Sequence, residues 1–151
     1  MQHHRTLLRS AVRLAAAAAL LAAGSLACAV GGPTARETEF QEIQKHYTQM
    51  MRWSQFDRAR NFVDAEGLGE FHEQTRSFGD VRFTDYAIRG VEFADGGSTA
   101  MVQVTYYAYL RTAPIAVAYD EQQEWRRGDK RVWRVRSSFE QRPIEPGEAF
   151  F

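Results

Sequence analysis

The sequence predicts an α+β domain in which N-terminal helices pack on a curved four-stranded antiparallel sheet. Two observations predict it. Apolar residues recur at helical spacing from Phe40 to Phe78, and the period then switches to two after Asp80. Turn signals divide the second half into four runs that follow one another directly, which builds a meander instead of parallel crossovers. The stretch ahead of Thr34 has a different character.

That stretch reads as an export signal. Arg5, Arg9 and Arg13 form a basic region with no acidic residue, Leu14 to Ala23 form an apolar run, and Gly24, Ser25, Leu26 and Ala27 lead to Cys28, the sole cysteine. The run is shorter than the roughly 20 apolar residues that span a bilayer, as in a secretory signal. The layout resembles a bacterial lipoprotein precursor, in which the thiol of the first mature residue is acylated. Ala27 fits the family's pattern, whereas Ser25 and Leu26 depart from it. A lone cysteine in an exported chain has no internal disulfide partner, which favours lipidation of Cys28. The competing expectation is cleavage after Ala29 within Ala27-Cys28-Ala29, which gives a soluble periplasmic protein.

The resemblance implies a Gram-negative cell envelope. Ala29 in place of Asp after the cysteine implies an outer-membrane lipoprotein facing the periplasm. Multiple acyl chains would hold the chain to the membrane stably. The expected layout is a signal peptide over residues 1–27, a flexible tether over 28–33, the α+β domain over 34–140 and an irregular tail over 141–151.

Composition limits the partners. Without Arg5, Arg9 and Arg13 the chain carries 16 basic against 19 acidic side chains. That balance gives no footprint for nucleic acid and no polybasic surface for anionic lipid. The remaining length suits one core.

Thr34-Ala35-Arg36-Glu37 is a capping box that starts the first helix. Phe40, Ile43, Tyr47, Met50 and Met51 form its apolar stripe, opposite Gln41, Gln44, Lys45 and Gln49. Ser54 to Asp57 reads as a second capping box for a helix presenting Phe56, Ala59, Phe62 and Val63. Asp64 is the expected cap of a third helical segment with Leu68, Phe71 and Phe78, ended by Gly79-Asp80.

The first strand is expected over residues 81–94, with a bulge near Gly90 that brings Tyr86, Ile88, Val91 and Phe93 to one face. Asp95-Gly96-Gly97 turns into a second strand over 98–112. Its inward set is Ala100, Val102, Val104, Tyr106, Ala108 and Leu110. Ala113-Pro114 breaks it, a third strand follows over 115–127, Gly128-Asp129 is a two-residue hairpin turn, and a fourth strand spans 130–139. Trp133, Val135 and Phe139 are its expected core residues.

This element order, with the bent sheet, the tryptophan-bearing last hairpin from Trp125 to Trp133 and the closing Trp133-Arg134-Val135, resembles the NTF2-like (SnoaL-like, cystatin-like) α+β cone over residues 34–139. The resemblance implies either an isomerase, cyclase or dehydratase with an Asp or His inside the cone, or a non-catalytic binding or assembly module. No local pattern here matches the enzymes' residues.

The third strand carries the one polar cluster on an apolar face. Ile115, Val117, Tyr119, Glu121, Gln123 and Trp125 share that face. If it stays inward, Glu121 has a raised pKa and can act as a base, with Tyr106 and Tyr119 as hydrogen-bond donors. Tyr106, Tyr119, Gln123 and Trp125 would then line a ligand site. Carboxylates are seldom buried unless paired. The favoured expectation is therefore that the strand leaves the helix layer after Tyr119 and exposes Glu121 and Gln123.

His46 and His72 lack the spacing of a zinc site, and His46 is expected at the surface. No phosphate loop, nucleophile elbow or dinucleotide fingerprint occurs, so the sequence implies no cofactor and no metal. Asp85 and Tyr86, as strand neighbours, point to opposite faces. Tyr107 and Tyr109 should lie on the outer sheet face, where they could seat an envelope protein or a second copy as a homodimer. Arg127-Gly128-Asp129 is turn chemistry.

Overall fold

A computed structural model describes residues 34–113 and 115–148. The expected element order is present. Helix α1 (Ala35–Arg52) is followed by the short α2 (Phe56–Ala59) and a 3-10 turn (Arg60–Phe62). Helix α3 (Leu68–Arg76) runs into a second 3-10 turn (Ser77–Asp80). Strands β1 (Val81–Ala94), β2 (Thr99–Leu110), β3 (Ala116–Arg127) and β4 (Trp133–Arg142) complete the domain. The sheet is antiparallel with order β1-β2-β3-β4, the expected meander.

The capping box at Thr34 forms. The Glu37 amide donates to Thr34 Oγ1 at 3.2 Å, and the Thr34 amide donates to Glu37 Oε2 at 2.6 Å. Two otherwise orphaned N–H groups are satisfied by one reciprocal pair. Phe40, Tyr47, Met50 and Met51 of α1 are buried as the stripe predicts, with Ile43 packed against them.

The expected second capping box does not form. Ser54 takes φ 55°, and its amide returns to the Met51 carbonyl, while the Gln55 amide returns to that of Met50. Ser54 therefore closes α1 in a left-handed turn, and Gln55 precedes α2 without a side-chain cap. Asp64 does serve the next turn: its Oδ1 accepts from the Gly67 amide at 2.6 Å.

Strand β1 carries the expected bulge, between Ile88 and Gly90, and a second between Phe83 and Asp85. Each inserts one unpaired residue, so Phe83, Tyr86, Ile88, Val91 and Phe93 all pair with inward residues of β2. Phe93 and Tyr86 pack on the core, while Ile88 and Val91 stay exposed.

The expected inward sets of β2 and β4 hold. Ala100, Val102, Val104, Tyr106, Ala108, Trp133 and Val135 are buried, and Leu110 and Phe139 pack against them.

The last hairpin differs from the expected two-residue turn. Arg127 pairs with Trp133, the Gly128 amide donates to the Val132 carbonyl at 3.0 Å, and Arg131 takes φ 59°. The longer loop lets Trp133 enter the core opposite Arg127. Strand β4 also runs beyond its expected end to Arg142, so the tail begins as sheet.

Candidate functional site

The polar cluster of β3 faces inward. Glu121 is 1% exposed and Gln123 0%. This corrects the expectation that both would lie in solvent. The strand does not leave the helix layer after Tyr119, because α1 extends along the same face and supplies polar partners there.

Glu121 accepts three hydrogen bonds. The Tyr47 hydroxyl donates to Oε1 at 2.9 Å, the Tyr106 hydroxyl to Oε2 at 2.8 Å, and Gln123 Nε2 to Oε2 at 2.6 Å. Ser137 of β4 lies 3.1 Å from the Tyr47 hydroxyl. Gln123 is also fixed at its other end, where its Oε1 accepts from Trp125 Nε1 at 2.9 Å and from Gln44 Nε2 at 3.1 Å. Gln44 Nε2 donates as well to Thr48 Oγ1 at 2.8 Å.

Gln44 is thus a core residue, 3% exposed, and not part of the polar face of α1. Gln44, Tyr47 and Thr48 lie within one turn and point the same way. The sequence reading missed Gln44 and Thr48 as partners. It placed Tyr47 in the core but missed its hydroxyl's role. The legible signal was a polar pair at i, i+4 flanking a tyrosine, opposite a strand with polar residues at alternate positions.

Burial pushes the Glu121 carboxyl up from the usual carboxylate range, against the pull of its hydrogen bonds from Gln123, Tyr106 and Tyr47. Burial, followed by the neighbouring Glu121 charge, pushes the Tyr47 and Tyr106 hydroxyls up. All three groups are therefore poised to hold protons.

Tyr119 does not join this cluster. Its hydroxyl donates to Gln141 Oε1 at 3.0 Å, and its ring packs edge-on to Phe78 and Phe83. The candidate base therefore meets Tyr47 and Tyr106, not Tyr119. Trp125 is buried, with its ring edge-on to Tyr47 and Phe40. Around Glu121, the interior is closed by Tyr47, Tyr106, Gln123 and Trp125, each 0% exposed.

His46 and His72 are exposed, and the described residues contain no group of three or more side chains suited to a metal ion. Asp85 bonds the Tyr86 amide with its carboxylate at 2.8 Å. Cys28 and the predicted signal lie outside the described residues. Among the described residues no helix is long and apolar enough to cross a membrane.

On the outer sheet face Tyr109 is exposed, whereas Tyr107 is buried and its hydroxyl accepts from Arg89. Beside it lies a groove of about 730 Å³, lined by Arg89, Gln103, Asp120, Gln122, Ser138 and Arg142 among others.

No family model matches the sequence, and no curated protein matches it. One solved structure is similar, a ketosteroid isomerase-like protein from Erwinia carotovora atroseptica. It has a TM-score of 0.57 and 16% identity, and the likeness covers 70% of this chain and 94% of that one. At that identity the likeness concerns the fold. With its helices on a curved, bulged four-strand antiparallel sheet, the chain has the NTF2-like, ketosteroid isomerase-like α+β fold.

Proposed function

We propose that this chain is an exported, lipid-anchored domain of the Gram-negative cell envelope that acts as a non-catalytic binding or assembly module. The observation that carries the non-catalytic part is the closed interior. The polar side chains on the inner face of β3 are satisfied by one another and by α1, with exposures of 0–1% for Tyr47, Tyr106, Glu121, Gln123 and Trp125. A substrate needs a cavity in which to meet its base, and here the protein's own side chains hold those positions. The groove on the outer sheet face is a concave surface open to a partner.

The anchoring part rests on Cys28 and the residues before it. Intact-mass measurement of protein extracted from membranes tests it. Acyl additions on a chain beginning at Cys28 are expected; an unmodified chain beginning at Val30 overturns it. Pull-down from envelope extract followed by mass spectrometry tests for the partner. Recovery of a co-purifying envelope protein or of a second copy is expected, and a chain recovered alone and monomeric contradicts the module.

A second reading is favoured by one observation: a buried carboxyl with a raised pKa facing two tyrosine hydroxyls. In that reading Glu121 is the base and Tyr106 a hydrogen-bond donor of an isomerase or dehydratase, and the likeness to a protein named ketosteroid isomerase-like suggests a ketosteroid as the first substrate to try. Turnover by the unaltered chain that is lost in Glu121→Gln would establish it over the first.

A further inference from the structure

The outer groove contains a carboxylate cradle that the proposed module's inner face does not use. Arg142 at the end of β4 presents a fork to the carboxylate of Glu148. Its Nη1 donates to Oε2 at 2.7 Å and its Nη2 to Oε1 at 2.8 Å. Arg89, the extra residue of the β1 bulge between Ile88 and Gly90, adds Nη2 to Oε1 at 3.2 Å. The Glu145 amide donates to Oε2 at 2.9 Å. The hydrogen bonds from Arg142, chief among the causes, hold the Glu148 carboxyl at about 2. Paired donors of this kind are the strong, direction-specific form of carboxylate recognition.

Both guanidiniums are held by groups other than Glu148. Arg142 Nε donates to Asp120 Oδ2 at 2.6 Å, and its Nη2 reaches Asp120 Oδ1 at 3.4 Å. Asp120 Oδ1 in turn accepts from Thr105 Oγ1 at 2.7 Å. Arg89 Nε donates to Thr105 Oγ1 at 3.2 Å, and its Nη2 to the Tyr107 hydroxyl at 2.5 Å. Thr105 and Tyr107 are buried residues of β2. The cradle is thus built from the sheet, while its occupant comes from the non-strand segment after Arg142, which turns at Gly147 with φ 92°. Withdrawal of Glu148 would leave two aimed guanidiniums with one carboxylate, Asp120, between them.

We propose that this cradle is a recognition site for a glutamate-bearing peptide segment of an envelope partner, and that the tail through Glu148 is the internal ligand that occupies it in the free chain. This rests on the binding-module reading and names the partner's chemistry. A peptide fits better than a free carboxylate for two reasons. The internal occupant already uses backbone, since Arg142 Nη1 also donates to the Pro143 carbonyl at 3.1 Å. The groove also continues past the cradle along Gln103, Gln122 and Ser138, neutral groups that suit peptide amides. Glu140 lines it too, which disfavours a polyanion.

The test is a titration of the full chain, as the cell exports and processes it, with a peptide carrying residues 143–148, acetylated and amidated so that its two glutamates are its only carboxylates. Binding is followed through the Arg89 and Arg142 side-chain Nε–H resonances by NMR. The Glu148→Ala chain should bind about tenfold more tightly than the unaltered chain, because an internal ligand competes at an effective concentration of about millimolar. A peptide with glutamine in place of the Glu148 residue should lose that binding, as should Arg89→Gln in the Glu148→Ala background.

Equal binding by the two chains, or by the two peptides, overturns the proposal. Equal binding of glutarate and peptide overturns the assignment to a peptide. Circular dichroism confirms that the variants fold, and Arg142→Lys, which keeps the charge but not the fork, serves where Arg89→Gln does not fold. Failure of these titrations leaves the envelope-module reading to its own pull-down and mass measurements, so the two stand or fall separately.

Discussion

The Tyr47 hydroxyl donates to Glu121 Oε1 at 2.9 Å, tying the first helix to the third strand through the centre of the core. With Tyr106 and Gln123 on the same carboxyl, the helix layer and sheet are joined by a buried polar network and not by apolar packing alone. Such networks fix one arrangement when every member is satisfied, and destabilise it when one is lost.

Glu121→Ala leaves the Tyr47, Tyr106 and Gln123 donors without their acceptor. It should cost about 1–3 kcal/mol, the penalty for one stranded buried group, because Tyr47 keeps Ser137 Oγ at 3.1 Å and Gln123 keeps Thr48 Oγ1 at 3.4 Å, which leaves Tyr106 the most affected by the loss. Glu121→Gln, which keeps one carbonyl acceptor, should cost less than Glu121→Ala. Urea unfolding at neutral pH checks the order.

Tyr47→Phe and Tyr106→Phe should each lower stability by about 1–3 kcal/mol, the range for leaving a buried polar group short of a partner, and their effects should be non-additive because they share one acceptor. Tyr119→Phe removes a hydroxyl that meets only exposed Gln141 and should cost less than either. A double-mutant cycle in urea measures the coupling.

Trp125 and Trp133 are both buried, but only Trp125 has an indole partner, Gln123 Oε1 at 2.9 Å. Trp133 Nε1 has no hydrogen-bond partner among the described residues. Trp125→Phe therefore strands Gln123 in part, whereas Trp133→Phe removes an unsatisfied donor. The first should be the more destabilising by about 1 kcal/mol, one net hydrogen bond, read from the two thermal unfolding midpoints.

Much of this fold was legible in the sequence, and the reasons are local. The capping box at Thr34 and the alternation of β2 need only neighbouring residues. The β1 bulge was readable because Tyr86 and Ile88 fall out of phase with Val91 and Phe93. Ser54 was misread because a serine before Asp57 looks the same whether it starts a helix or ends one. The burial of Glu121 was misjudged for a longer-range reason. The rule against buried carboxylates holds only where no partner arrives, and Tyr47 comes from 74 residues away. The Arg142–Glu148 pair was hidden in a tail taken to be irregular, though Pro146 and Gly147 supply the turn that brings Glu148 back.

The Glu148 carboxyl should titrate at about 2. Its native pKa lies below the unfolded value, so its contribution is present above the ordinary carboxylate range and is lost as pH falls through about 2. Carbon-13 NMR of the side-chain carboxyl checks the midpoint, and Arg142→Gln should move it towards the ordinary range.

Glu121 has the opposite sign. Its native pKa is raised by burial, so its contribution is complete below the unfolded value and declines as pH rises through the native one. The most direct test of the buried network is the Glu121 carboxyl titration, followed by carbon-13 NMR with Glu121→Gln to assign the resonance. The structure predicts a midpoint above the ordinary glutamate range, together with a fall in stability across that interval that is absent from Glu121→Gln. A midpoint at the ordinary value, with the same pH dependence of stability in both chains, would contradict a sealed Glu121.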